Sequence, residues 1–263
     1  MNISALLGVL GLVSAVAIAE PPTTQPVSEY SAVGQDLIAV ASDDTSSDDQ
    51  LRAAVTAARD VLPADSIARS KLDRLLSDGL DRTAAIEVGR DIAFTPTMEA
   101  PTPRGWPAIT PVGEVELQRY PKYRMAYVNK GDIPPGGEFF ALFLHIKRNE
   151  IAMTAPVEMK MAGPGLDDMT QMAFLYENTD LGTLGQDEKV TVVDVDPMEA
   201  VSVGGRGVWT EQSMSQAKQL IDAWLAAHPE FEPAGELRVM GYNSPMLPRE
   251  RAYYEVQLPV KAQ

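Results

Sequence analysis

The sequence predicts an α+β protein. Eight strands and two helices form two strand-strand-helix-strand-strand halves that close into one antiparallel-type, barrel-like sheet, with a helical hairpin in front. Three observations predict this. Glu138–Ile146 is apolar on nearly every side, as a buried helix is, and after Lys147-Arg148-Asn149-Glu150 the chain alternates, with Ala155, Val157, Met159 and Met161 on one strand face. The order of strands, proline breaks and helix then recurs once. Ser47 to Arg90, by contrast, carries apolar residues at helical spacing only.

The totals exclude several classes of function. The chain has 263 residues and a formal net charge of −15, which disfavours nucleic acid and anionic membrane as main partners. It has no cysteine, so disulfides, thiolate metal sites, covalent Cys-x-x-Cys-His haem attachment and a lipoprotein anchor are all excluded. Two histidines, His145 and His228, cannot build a three-histidine zinc site. No Gly-x-Ser-x-Gly elbow occurs.

In chain order, residues 1–19 read as a signal peptide. The run from Ile3 is uncharged and apolar and ends in Ala17-Ile18-Ala19, a small-residue cleavage site, with an uncleaved anchor as the alternative. This predicts a periplasmic or secreted protein with no stable membrane partner after cleavage. Residues 20–46, rich in Pro, Thr, Ser and Asp, read as a disordered linker with a brief ordered patch at Leu37 to Val40.

Residues 47–93 read as a helical hairpin. Ser47 and Gln50 have capping-box spacing, and Asp48 and Asp49 suit a helix start. Leu51, Val55, Ala58 and Leu62 share one face before Pro63 ends the helix. A second helix from Asp65 aligns Ala68, Leu72, Leu75 or Leu76, and Leu80, and a third short one runs from Arg82 to Arg90. Such stripes are usually core; a partner or dimerisation module is the sharper alternative. Residues 94–110 form a Pro-rich strap through Pro96, Pro101, Pro103 and Pro107, with Trp106 placed to pin it to the main domain.

Residues 111–263 carry the two halves. Val115 and Leu117 mark the first strand, Pro121 breaks it, and Met125–Val128 is the second. The helix at Glu138 follows, then strands Thr154–Met161 and Met172–Glu177. The second half has strands Val190–Val195 and Glu199–Gly204 around Pro197, helix Ser213–Ala227, and strands Leu237–Tyr242 and Tyr253–Val260. Its helix is amphipathic through Met214, Ala217, Leu220 or Ile221, Trp224 and Leu225, and His228 caps its end.

Three segments of this portion resemble the SOUL family of haem-binding proteins. They are Val115-Glu116-Leu117-Gln118-Arg119-Tyr120-Pro121; Asn149 through Ile151-Ala152-Met153-Thr154-Ala155-Pro156-Val157; and Gly241-Tyr242-Asn243-Ser244-Pro245 with Tyr254-Glu255-Val256. The resemblance spans about Thr110 to Val260. It implies a distorted eight-stranded barrel with two helices, and non-covalent binding of haem or another tetrapyrrole at an apolar surface near the first helix. A histidine ligand of some members falls at or next to Arg119 in this chain.

The residues themselves offer parts of such a site. Phe139, Leu142, Phe143 and Ile146 can form an apolar helix face. Arg119, Lys122, Arg124 and Lys130 crowd the first hairpin, and Lys147 and Arg148 follow the helix; they read as a local counterion set for two carboxylates, with solvated strand ends as the alternative. His145 is the candidate iron ligand; its alternative is a hydrogen-bonded core histidine. Met125, Met153, Met159 and Met161 read as adaptable packing. The function expected is a non-catalytic tetrapyrrole carrier or buffer. The alternative is an effector-binding module of the gyrase-inhibitor-like type for another small apolar ligand. An enzyme ranks last: Glu158 faces outward by alternation, Glu255 lies opposite Tyr254 and Val256, and no carboxylate pair emerges. The oligomeric state is not legible.

Overall fold

The computed structural model describes residues 30–263, so the signal-peptide reading and the first part of the linker lie outside the described residues. Four helices come first: α1 (Ser31–Ser42), α2 (Asp48–Val61), α3 (Ile67–Asp78) and α4 (Arg82–Ala93). The linker reading is corrected here, because residues 31–42 are helix. Leu37 and Ala41 fall one turn apart and are buried with Leu51, Val55 and Leu72. The helix also fits because Gly34 meets α4 directly: a Cβ there would lie 2.7 Å from the Ala93 nitrogen and 2.8 Å from the Gly89 oxygen. The hairpin is therefore a four-helix unit. Its capping box forms, with Gln50 N donating to Ser47 Oγ at 3.2 Å and Ser47 N to Gln50 Oε1 at 2.7 Å.

The rest is one sheet and two helices. The strands are β1 (Val115–Tyr120), β2 (Tyr123–Asn129), β3 (Val157–Met161), β4 (Met169–Leu175), β5 (Gly185–Asp187), β6 (Val190–Val195), β7 (Met198–Arg206), β8 (Phe231–Pro233), β9 (Leu237–Gly241) and β10 (Tyr253–Ala262). Helix α5 (Glu138–Arg148) lies between β2 and β3, and α6 (Glu211–Ala227) between β7 and β8. The order is β1-β7-β10-β9-β3-β4-β2-β6-β5, with β8 on β10, and the strand pairs are antiparallel.

The closed eight-stranded barrel is corrected: the sheet has 10 strands and is open. The chain steps from β1 to β2 through Pro121-Lys122 and from β6 to β7 through Asp196-Pro197, yet neither pair of consecutive strands shares a ladder. Proline lacks the N–H that a continuing ladder needs. The two halves pair alike. β2 joins β4 and β4 joins β3, as β7 joins β10 and β10 joins β9, and β3 meets β9 in the middle.

Alternation sorts the strand residues onto two faces. One packs against helices: Val201, Val203, Val239 and Val256 meet Met214, Ala217 and Ile221 of α6, while Ala126, Val128, Phe174 and Val192 meet Leu142 and Ile146 of α5. The strap covers the other face, with Met98, Trp106 and Ile109 against Met240, Tyr242 and Tyr253. Because the strap seals that face, Glu158 is buried there, 3.0 Å from Arg238, which corrects its expected outward position.

The helical unit docks on the sheet side through charge. The Glu114 carboxylate accepts from Ile67 N and Ala68 N, both at 2.8 Å, and so caps α3 from outside its own helix. Arg206 on β7 reaches Asp91 at 2.8 Å and Glu87 at 2.6 Å on α4.

Candidate ligand face on helix α5

Helix α5 starts after Pro134-Pro135-Gly136-Gly137. Gly136 has φ +78, a left-handed conformation that glycine adopts without strain. The helix was expected to be buried all round, and the structure corrects this. Leu142, His145 and Ile146 face the sheet. Phe139, Phe140, Phe143 and Leu144 remain 45%, 62%, 41% and 41% exposed. These four positions make a single stripe on a 3.6-residue helix. Large contiguous apolar patches on a protein surface mark binding sites.

The rings are ordered by their neighbours. Phe139 and Phe143 lie nearly parallel, 10° apart with centroids at 6.4 Å, and Phe139 packs edge-on against Phe174 at 5.0 Å. Phe140, Ala141 and Leu144 form one wall of a groove of about 620 Å³, with Ile133, Pro134 and Val190 opposite. Arg148, Glu188 and Lys189 stand at its rim. Arg148 donates to Glu188 at 2.6 Å, and Lys147 is exposed with no ion pair among the described residues.

The predicted site residues separate. Phe139 and Phe143 are on the exposed stripe, whereas Leu142 and Ile146 belong to the core under α5. Arg119 is exposed and pairs with Glu199 at 2.8 Å. Arg124 is nearly buried: it grips Asp194 at 2.6 and 3.2 Å and donates to Leu181 O at 2.8 Å. That pairing holds the Asp194 carboxyl below its ordinary range. Neither Arg119 nor Arg124 lines the groove, and nor does Lys147; the cations that line it are Arg148 and Lys189. Phe140, Leu144 and Lys189 were missed.

His145 is 3% exposed. Its Nδ1 lies 2.6 Å from Asp187 Oδ2 and its Nε2 2.8 Å from the Tyr176 hydroxyl. Both nitrogens are engaged, so an iron at either would have to displace a partner. The structure thus places His145 as a buried, doubly hydrogen-bonded histidine. The His145 hydrogen bond draws the Asp187 carboxyl below its usual value, and burial pushes the Tyr176 hydroxyl up to about 12.

A porphyrin fits this face in part. The stripe and groove offer apolar surface for the ring, and the cations at the end of α5 suit propionates. For iron, the described residues lining the groove include no His, Met or Tyr. The described residues hold no cluster of three or more His, Asp or Glu side chains placed for a metal. No helix among them is long and apolar enough to cross a membrane.

Residues 108–259 match the model of the family described as SOUL heme-binding protein. No curated protein matches the chain significantly by sequence. Among solved structures, the EcmrR C-terminal domain is 12% identical with a TM-score of 0.43, over 57% of this chain and 98% of that one. EcmrR in a DNA complex is 14% identical with a TM-score of 0.44, over 57% and 58%. A structure described as a hydrolase from Listeria innocua is 14% identical with a TM-score of 0.44, over 58% and 94%. Likenesses this distant carry nothing about ligand or reaction.

Proposed function

The chain belongs to the SOUL heme-binding protein family, and from that premise we propose that it binds haem or a related tetrapyrrole non-covalently on the exposed stripe of α5. The role is that of a non-catalytic carrier or buffer outside the cytoplasm, the location resting on the leader-like run from Ile3 to Ala19. One observation carries the reading: Phe139, Phe140, Phe143 and Leu144 stay exposed on one helix face although the chain has a core to bury them in.

The protein's residues hold the ring by its faces and its acid groups. Phe140 and Leu144 supply a wall, and Phe139 and Phe143 extend it. Lys189, and Arg148 once it leaves Glu188, neutralise the propionates. Bound haem would supply iron redox and ligand chemistry, but the protein holds it without a side-chain iron ligand. Titration of the protein with haemin, followed by absorbance, tests the site. Phe140→Asp should weaken binding roughly tenfold or more, since a buried charge replaces an apolar contact. Unchanged affinity in that variant would overturn the assignment to this face.

A further inference from the structure

The groove beside α5 carries an acid of the protein's own at its rim. β5 and β6 pair up to Asp187 and Val190, which leaves Glu188 and Lys189 as a two-residue turn. Glu188 has φ +55, in the left-handed region that a residue with a Cβ rarely adopts. Such a conformation persists where the surroundings fix it. Two contacts do so here. Asp187 Oδ2 lies 2.6 Å from Nδ1 of the buried His145, and Gln186 Nε2 donates to Glu188 O at 2.8 Å. The turn is thereby set against the end of α5, where Arg148 Nη1 donates to Glu188 Oε1 at 2.6 Å.

Arg148, Glu188 and Lys189 are the charged side chains that line the groove among the described residues. Lys189 is exposed and makes no ion pair among them. The Arg148 and Glu188 side chains are 47% and 68% exposed. Ion pairs this open to water are weak, so Arg148 can exchange one carboxylate for another at little cost. Glu188 also takes only one N–H of the guanidinium fork, and Asp187 Oδ2 stands 3.7 Å from Nη2. A ligand carboxylate can take both N–H groups at once, which is the stronger arrangement.

We propose that Glu188 is an internal occupant of the groove's anion subsite. It fills the place on Arg148 that a ligand carboxylate takes, and so selects ligands that bring a free carboxylate to displace it. The inference rests on the tetrapyrrole reading above and adds to it a competing group within the chain. Affinity is lowered by the fraction of time that Arg148 is paired. A ring with esterified acid groups cannot take the arginine from Glu188, and gains nothing when Glu188 is neutralised.

Absorbance titration of the full chain with haemin, and with haemin dimethyl ester, tests the proposal. Glu188→Gln keeps the shape of the turn residue and should bind haemin roughly threefold to fivefold tighter than the unaltered protein. Its affinity for the ester should be unchanged. Arg148→Gln in the Glu188→Gln background should remove the gain. Glu150→Gln makes the same charge change two residues beyond Arg148, in a side chain with no ion pair among the described residues, and should leave haemin affinity unaltered. Haemin binding with no gain in Glu188→Gln, an equal gain for the ester, or an equal gain in Glu150→Gln overturns the role of Glu188 and leaves the tetrapyrrole reading standing. Binding of neither compound to any of these proteins overturns that reading and this inference together.

Discussion

Arg238 Nη1 lies 3.0 Å from Glu158 Oε2 at the centre of the sheet, where the pairing of β3 with β9 sets Arg238 opposite Lys160 and so diagonal to Glu158 on the same face. The Tyr123 hydroxyl completes the cluster, 3.2 Å from Glu158 and 3.0 Å from Arg238. Removing one member strands a buried charge, which costs about 3–5 kcal/mol. Arg238→Met should therefore lower the unfolding free energy by that amount in urea. Arg238→Met with Glu158→Leu should recover most of it, because both charges are then gone.

His145 should prove structural. His145→Ala leaves Asp187 and Tyr176 without their shared partner and should cost about 1–3 kcal/mol in stability. Haemin affinity in the folded variant should stay within about twofold of the unaltered protein. Parallel urea unfolding and haemin titration check both halves.

The same contact predicts a pH dependence. The Asp187 carboxyl is held below its ordinary value of 3.8 by His145, so folding favours its ionised form. The stability it contributes is present above that ordinary value and is lost as pH falls through the lower, folded one. Asp187→Asn should flatten the acid limb of a plot of thermal midpoint against pH.

Glu114 joins the helical unit to the sheet portion through the start of α3. Glu114→Gln keeps one acceptor but loses the charge at the helix N-terminus, and should cost about 0.5–1 kcal/mol. Glu114→Ala loses both, at about 1–2 kcal/mol, read by thermal unfolding. A further sign would be faster hydrogen exchange in the first turn of α3 than in α2.

Much of this architecture could be read from the residues, and each failure has a physical cause. The Ser47–Gln50 box and the Met214, Ala217 and Ile221 stripe are local signals, and both appear as expected. Helix α1 was hidden because Pro, Thr, Ser and Asp dominate the residues around it, while its core contacts come from a distant partner, α4. Glu158 was misplaced because alternation assigns polar residues to solvent, and only the fold reveals that a strap covers that face. On α5, Leu142 and Phe143 are equally apolar, so pattern alone could not tell the side that meets the sheet from the side left open. His145 carried no mark of its partners, since Asp187 and Tyr176 lie 42 and 31 residues away.

The central claim is that α5 holds a tetrapyrrole by its ring and acid groups, with no protein ligand to iron. Comparing affinities for haemin and metal-free protoporphyrin IX, by fluorescence quenching of the same preparation, tests it most directly. The account predicts dissociation constants within about threefold of each other, both weakened roughly tenfold by Phe140→Asp. Haemin binding far more tightly than the metal-free ring, or neither compound binding, would contradict it.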